Sequence, residues 1–456
     1  MAQEKIVRIA NGQGFWGDSL MAPIRLIEDG PIDYLTLDYL AEITMSVLQK
    51  QRQRKPESGY ATDFIDLLKI IMPQCQQKGI KILCNAGGVN PRACVDAIKS
   101  TLQEMGMSGI KIAMADGDDL LPQIHELIDG GEPFTNLDNG GSISEIRDRI
   151  TSANAYTGAE PLVEALKQGA DIIVTGRTAD PSLVLAPLMY EFGWAEDDYD
   201  KKAAGTIIGH LLECGAQSTG GNFTDWRDVP DFAHIGYPIA EVSADGSFVL
   251  TKHEGSGGLV NEDTVASQLL YELGDPENFL SPDCTSDFTS IQLEQVGENR
   301  VRASGIKGRA PTDSYKVSMS FANGYRVLGQ LTFTGPDAVA KAELGAEIIF
   351  ERCAMYGKPI PEDKRFVEVF GNAACYKGAI ADPVQPSEVL LRVGAKSHDR
   401  EQLEILGREI APLVTAGPIG VTGYAGSRAR PTEIIGYWPT LVKKSKVTTR
   451  YIVEEI

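Results

Sequence analysis

From Ile6 to Gly193 short apolar runs alternate with amphipathic segments that carry helix start and stop signals, and few folds accommodate that pattern. The runs Ile6–Ala10, Asp33–Leu37, Ile80–Cys84, Gly109–Ala113 and Asp171–Thr175 have the length of buried strands. Between them, Asn90-Pro91 predicts a helix start. Cys94, Ile98, Leu102 and Met105 then recur at helical spacing, and Gly106 is the stop. Thr157-Gly-Ala-Glu160 reads as a capping box ahead of Leu162, Val163 and Leu166, and Asp180-Pro181 opens a further helix that runs to Gly193. Strand–helix alternation predicts an α/β N-terminal domain with a mainly parallel sheet under packed helices.

In such sheets ligands bind beyond the carboxyl ends of the strands, so the residues directly after each run matter most. The first run leads into Asn11-Gly12-Gln-Gly14-Phe-Trp-Gly17-Asp18, and the second into Asp38 and, one helical turn on, Glu42. The third gives Asn85-Ala-Gly87-Gly88-Val-Asn90, the fourth Asp116-Gly-Asp118-Asp119, and the fifth Thr175-Gly176-Arg177 and then Asp180. Each has a bland explanation when taken singly: glycines for turns, Asn90 and Asp180 as N-caps, Asp116 as a turn former. Five such ends together predict one ligand-bearing edge with Asn11, Asp38, Asn85, Asp116 and Thr175 along it. Gly12–Gly17 matches the spacing of a dinucleotide loop. However, Phe15 and Trp16 stand where small residues are needed, and only Asp33 or Asp38 stands near the expected acidic position. There is no Walker sequence, no G-x-S-x-G and no H-E-x-x-H.

The most chemically loaded stretch is Leu211–Trp226. It carries Glu213, Cys214, Gln217, Thr219, Gly220, Gly221, Asn222 and Asp225. Paired glycines admit close backbone approach, and exposed N–H groups form an anion-binding concavity. An active-site role requires this loop to fold back over the strand edge carrying Asn85 and Arg177. Burial beside Leu211, Leu212 and Trp226 would then raise the pKa of Glu213. Beyond it, Ile239–Ser243 and Ser247–Thr251 flank Asp245-Gly246, a hairpin signal, and lead to Lys252-His253-Glu-Gly-Ser-Gly-Gly258. Lys252 and His253 read either as ligand contacts or as a solvated strand end.

From about Asp287 the pattern becomes antiparallel, predicting an α+β C-terminal domain. It has a hairpin turn at Asn323-Gly324, helices over Asp337–Tyr356 and Arg400–Val414, and closing strands at Ile434–Tyr437 and Val447–Val453. The expected division is 1–200, then a Gly-rich region 201–286, then 287–456.

A net charge of −20 excludes nucleic acid as a partner, since binding it needs clustered cations. No apolar run is long enough for a membrane span, and the start MAQEKIVRIANG lacks the pattern of a secretory signal. Seven scattered cysteines without a C-x-x-C pair fit a reducing cytoplasm better than a disulfide framework.

These same stretches resemble the acyclic-terpene-utilisation A protein family: Asn11-Gly-x-Gly-Phe-Trp-Gly-Asp18, Asp38-Tyr-Leu-Ala-Glu42, Asn85-Ala-Gly-Gly-x-Asn-Pro91, Thr175-Gly-Arg-x-x-Asp180, Glu213 to Trp226 and Lys252-His-x-Gly-x-Gly-Gly258. They occur in the family's order along nearly the whole chain. The resemblance implies catabolism of branched isoprenoid or related carboxylic acids, with coenzyme A thioesters as substrates. Some relatives carry an additional small C-terminal domain not evident here, which implies a small partner subunit. Base rates for metabolic enzymes add a homo-oligomer.

The chemistry expected is that of a lyase or hydro-lyase. Glu213, Asp38, Glu42 and Asp180 are the candidate acids and bases, and Arg177, Asn85 and glycine N–H groups the anion holders. Asn11, Gly12, Asp18, Gly87 and Gly88 complete the candidate substrate contacts at the strand ends. Gln217, Thr219, Gly220, Gly221 and Asn222 do so in the central loop. An acid cluster of this kind also offers oxygen ligands to Mg²⁺. Two other readings stand beside this one: acyl transfer or hydrolysis by Cys214, and a non-catalytic binding subunit.

Overall fold

The computed structural model describes residues 5–376, 386–422 and 428–456. They form two compact units, residues 1–320 with 437–456, and residues 321–436.

In the first unit the chain runs β1 (Val7–Asn11), α1 (Met21–Asp29), β2 (Tyr34–Leu37), α2 (Glu42–Arg54), α3 (Asp63–Lys78), β3 (Lys81–Cys84), α4 (Pro91–Glu104) and β4 (Lys111–Asp116). It continues through α5 (Ile124–Asp129), β5 (Ile150–Ala155), α6 (Glu160–Lys167), β6 (Ile172–Thr175), α7 (Ser182–Phe192) and α8 (Tyr199–Glu213). The hairpin β7 (Ile239–Val242) and β8 (Phe248–Thr251) comes next, and then helix α9 (Glu262–Leu270).

Strands β1, β2, β3, β6 and β4 are adjacent in that order and mutually parallel. All five expected runs are therefore strands, and their carboxyl ends share one edge. The apolar residues alternate between two cores. Ile82, Cys84, Ile172 and Val174 face α3 and α4, through Phe64, Leu68, Ile98 and Leu102. Leu83 and Ile173 face α6 to α8, through Leu162, Leu185 and Ile207. Burial on both faces is why these strands read as continuous apolar runs.

The sheet as a whole is mixed rather than mainly parallel. Beside β1 lie antiparallel β7, β8, Arg300–Ser304 and Gln292–Gly297, and beside β4 lies Arg450–Glu455, the end of the chain. These additions pair the two edges that a five-stranded parallel sheet leaves open. The Asp245-Gly246 turn joins β7 to β8 as expected, with Gly246 at φ +89°.

Two local expectations are corrected. The start of α6 is not a capping box: the N-cap is Ala159, and its N–H donates to Asp283 Oδ1 at 2.9 Å. The same carboxylate accepts from Ser182 Oγ at 2.6 Å, so Asp283 serves the starts of both α6 and α7. Asn323-Gly324 is not a hairpin turn but lies inside one strand, Ser314–Thr334. Its second half, Tyr325–Thr334, takes a distant partner, Glu388–Ser397, in place of its sequence neighbour. Gly324, at φ +79°, accommodates the local irregularity that a turn signal normally marks.

The second unit is antiparallel α+β. Glu388–Ser397 lies between Tyr325–Thr334 and Arg365–Phe370. Helices Ala338–Met355 and Arg400–Ile410 close a core that includes Leu331, Phe333, Leu391 and Leu406. Across the described residues no helix is long and apolar enough to cross a membrane, and all seven cysteines are free.

Candidate active site

Beyond the shared strand edge lies a cavity of about 1080 Å³, walled entirely by the first unit. Its construction begins at the end of β1. Asn11 is buried, and its amide donates to Leu212 O at 2.7 Å and Gln13 O at 2.9 Å, tying the strand end to the last turn of α8. That tie brings the central loop over the edge. Gly14 then meets Cys214 so closely that a Cβ on it would stand 2.9 Å from the Cys214 carbonyl carbon. Asp18 fixes this approach by accepting from Gly14 N at 2.9 Å and from the Tyr237 hydroxyl at 2.6 Å.

Arg177 stands at the cavity wall with its side chain buried. Its guanidinium donates to Asp180 at 2.5 Å and lies 4.1 Å above the Tyr156 ring, while its Nε has no partner. Tyr156 in turn donates to Glu42 Oε1 at 2.9 Å, and Lys316 Nζ lies 3.3 Å from the same oxygen. Burial alone would raise the Glu42 pKa. Its own backbone N–H, Lys316 and Arg177 more than offset that and hold the carboxyl at about 2. Glu42 is therefore an anion, already committed to a cation.

Asp38 behaves oppositely. Burial pushes its pKa well above the ordinary carboxylate range, and the neighbouring charge of Asp180 adds to this. Arg177, the Asn85 amide (2.5 Å) and the Leu40 N–H (3.1 Å) lower it only in part. Asn85 is held for the task, since its own Oδ1 accepts from Tyr39 N at 2.7 Å. Asp38 precedes α2 and is not on its face, so it and Glu42 reach the cavity from different backbone contexts.

Glu213, the last residue of α8, pairs with His210 one turn earlier, Oε1 to Nδ1 at 3.1 Å. His210 Nε2 lies 2.9 Å from the Gln268 carbonyl, which can only accept, so Nε2 carries a hydrogen. The Glu213–His210 contact therefore holds one proton, either as imidazolium and carboxylate or as neutral imidazole and carboxylic acid. Burial raises the Glu213 pKa, as its position required, although Trp226 contributes nothing to this because it projects into solvent. Glu213 Oε2 is left with no partner. Next to it, burial and the Glu213 charge push the Cys214 thiol up to about 12.

A family model described as acyclic terpene utilisation family protein AtuA matches residues 7–453. The chain belongs to this family. No curated protein and no solved structure matches it. The stretches that carry the AtuA resemblance divide by position. Asp18, Asp38, Glu42, Arg177, Asp180, Glu213, Cys214, Gln217, Gly221 and Asn222 line the cavity.

Asn11 and Asn85 stand behind the wall and orient it. Gly12, Gly87 and Gly88 serve close packing: a Cβ would lie 2.7 Å from Pro23 Cβ at Gly12, and 2.5 Å from Thr175 O at Gly87. Thr219 donates to Gly236 O at 2.6 Å, and Gly220 turns the chain at φ +101°. Lys252 Nζ donates to Ser256 O at 2.7 Å, and His253 lines a second cavity of about 360 Å³. Neither lines the AtuA cavity. Asp180 does not cap α7, because its carboxylate is turned to Arg177. Among the described residues no three His, Cys, Asp or Glu side chains converge as metal ligands would.

Four wall residues carry no signal strong enough to single them out in the sequence: Tyr156, His210, Tyr237 and Lys316. Only His210 has a local clue, its spacing of three residues before Glu213.

Asp118 supports the site from behind, accepting from Arg177 N at 2.8 Å and Asn154 Nδ2 at 2.9 Å. Burial raises its pKa from the ordinary 3.8 to about 7. A raised folded-state value means the folded chain binds the proton more tightly than the unfolded chain. Asp118's contribution to stability is thus complete below 3.8 and lost as pH rises through about 7. Asp118→Asn is expected to flatten the pH dependence of the thermal midpoint across that window. An unchanged slope would place the dependence elsewhere.

Proposed function

We propose that this AtuA-family chain is a catabolic lyase or hydro-lyase acting on a branched, hydroxylated or unsaturated acyl thioester or acid. The observation that carries this reading is a pair of cavity carboxyl groups set for opposite proton roles: burial favours the acid form of Asp38, while the hydrogen bond with His210 favours the carboxylate of Glu213. Both reactions of this class pass through negative charge on the acyl carbonyl oxygen. In loss of water, a base takes the proton from the carbon next to the carbonyl. The carbon–oxygen bond of the β-hydroxyl breaks, and an acid protonates the departing oxygen. In carbon–carbon cleavage, the base takes the hydroxyl proton and the acid protonates the released carbanion. Glu213 is the base in this scheme, Asp38 the acid, and Arg177 the cation beside the developing charge.

The cavity also has an apolar rim. Phe15, Leu137, Tyr271, Leu280 and Leu441 line it, and all are exposed. Such a rim suits a branched hydrocarbon tail, whose burial contributes roughly 25 cal/mol per Å². Nucleophilic chemistry by Cys214 fits less well, because a thiol with a pKa of about 12 stays protonated near neutrality. A binding-only subunit would have no use for an unpartnered carboxylate oxygen beside a proton-sharing histidine. A homo-oligomer, with or without a small partner subunit, belongs to the same proposal, and light scattering at micromolar concentration reads it directly. The test of the reaction class is proton NMR of the chain with a panel of branched β-hydroxyacyl thioesters and acids. New olefinic or cleaved-acyl signals are the expected result. A panel that binds without conversion would overturn the catalytic reading.

A further inference from the structure

Resting on the reading of Glu213 as the base, we infer that His210 is its positioning residue: an imidazolium held at the carbonyl end of α9, which keeps Glu213 ionised and passes no proton to the substrate. The two side chains stand three residues apart in the last turn of α8, Nδ1 to Oε1 at 3.1 Å, and share one proton. Their surroundings decide which of them holds it. Helix α9 ends at Leu270, so the Gln268 carbonyl is among those left without a partner inside the helix. It accepts instead from Tyr271 N at 3.1 Å and from His210 Nε2 at 2.9 Å. Gln268 returns the contact, since its side-chain amide donates to His210 O at 3.0 Å. The imidazole is thereby locked against the negative end of a helix, where a cation is favoured. With the proton on the ring, both ring N–H groups make charge-assisted bonds, one to a carboxylate and one to a carbonyl. With the proton on Glu213, neither bond has that assistance.

The charged groups facing the ring are Glu213 on its own helix and Glu272 just beyond α9. Burial alone would lower the His210 pKa, yet Glu213, the Gln268 carbonyl and Glu272 together raise it above the ordinary 6.5. Asp180 and Glu272 press the Glu213 carboxyl toward its acid form, but Asp180 is itself offset by Arg177 at 2.5 Å, and Glu272 favours a proton on either partner. Both ring nitrogens are committed and the ring is packed against Phe279 and Phe288, so neither nitrogen is free to meet a substrate. When Glu213 takes a proton, that proton stays on its carboxyl group. The electron pair of the broken bond stays on the substrate, and the ring keeps both its hydrogens.

The imidazole NMR spectrum of the chain labelled with nitrogen-15 histidine tests this without any substrate. Among the five histidines, His210 is recognised by its proximity to the Phe279 and Phe288 rings. At pH 7.5 it should show two protonated ring nitrogens, where an ordinary histidine is mostly neutral. One protonated and one bare nitrogen at that pH would overturn the inference. The second arm is the pH profile of kcat/KM on a converted substrate. The parent should lose rate on the acidic side as Glu213 takes up a proton. In His210→Gln that limb should move toward higher pH by about 1 or more, because burial of Glu213 is no longer opposed by a cation. A merely structural His210 would lower the whole profile and leave the limb in place, and a proton-carrying His210 would abolish the limb. Either result would overturn the inference. Because the spectrum needs no turnover, its failure is distinct from failure of the proposed reaction, which the product signals read.

Discussion

Glu213→Gln is expected to lower turnover of a converted thioester by about 10²-fold or more, while binding is largely kept. The glutamine preserves the size of the side chain and its contact with His210 but cannot take or give a proton. His210 makes the expectation sharper. Its Nε2 is committed to the Gln268 carbonyl at 2.9 Å, and its ring is packed against Phe279 and Phe288. It therefore cannot swing out to replace the lost carboxylate. Steady-state kinetics with active-site titration would measure this, and an unchanged turnover number would remove Glu213 from the reaction.

The second large effect is on stability. Arg177→Met keeps most of the side-chain length and removes a buried charge that faces Asp180 and lies over Tyr156. Breaking a buried pair from one side leaves the other charge without compensation, which costs about 3 kcal/mol. Denaturant unfolding should show this as a lower midpoint with an unchanged slope. Arg177→Lys should restore only part of it, because a lysine cannot meet both Asp180 oxygens and stack on the ring together. A midpoint within experimental error of the parent would show that Arg177 is not the electrostatic centre of this wall.

Much of the scaffold was legible in the chain because it is local. Strand length, helix punctuation and two-sided burial identify β1, β2, β3, β4 and β6 directly, and their parallel pairing then puts the strand-end residues on one edge. The closing of Arg450–Glu455 against β4 was not legible, since nothing in a short apolar run states which distant edge it will cover. Asn323-Gly324 misled for the same reason: turn chemistry is a local preference, and the long-range pairing of Tyr325–Thr334 overrode it.

In the site, residues flanked by glycine announced themselves, yet glycine signals two different things. Gly221 lines the cavity, whereas Gly87 and Gly12 are small because backbone or a proline passes too close for a side chain. Lys316 and Tyr156 could not be read at all. Their partners Glu42 and Arg177 are far away in sequence, and Lys316 sits on a strand otherwise typical of a sheet. Asn11 and Asn85 looked like ligand contacts and instead hold other residues in place. Both kinds of role require a buried amide with donor and acceptor.

Acid–base chemistry in this cavity depends on Asp38 entering the reaction as a proton donor. The most direct check is the pH dependence of kcat/KM for the parent and for Asp38→Asn on the same thioester. With its pKa raised by burial, Asp38 should make the parent's rate fall on the alkaline side, as the acid form is lost. The asparagine variant should be slower by about 10²-fold and should lack that alkaline limb. A variant that keeps both the rate and the limb would contradict the assignment of Asp38, and with it the acid–base reading of the cavity.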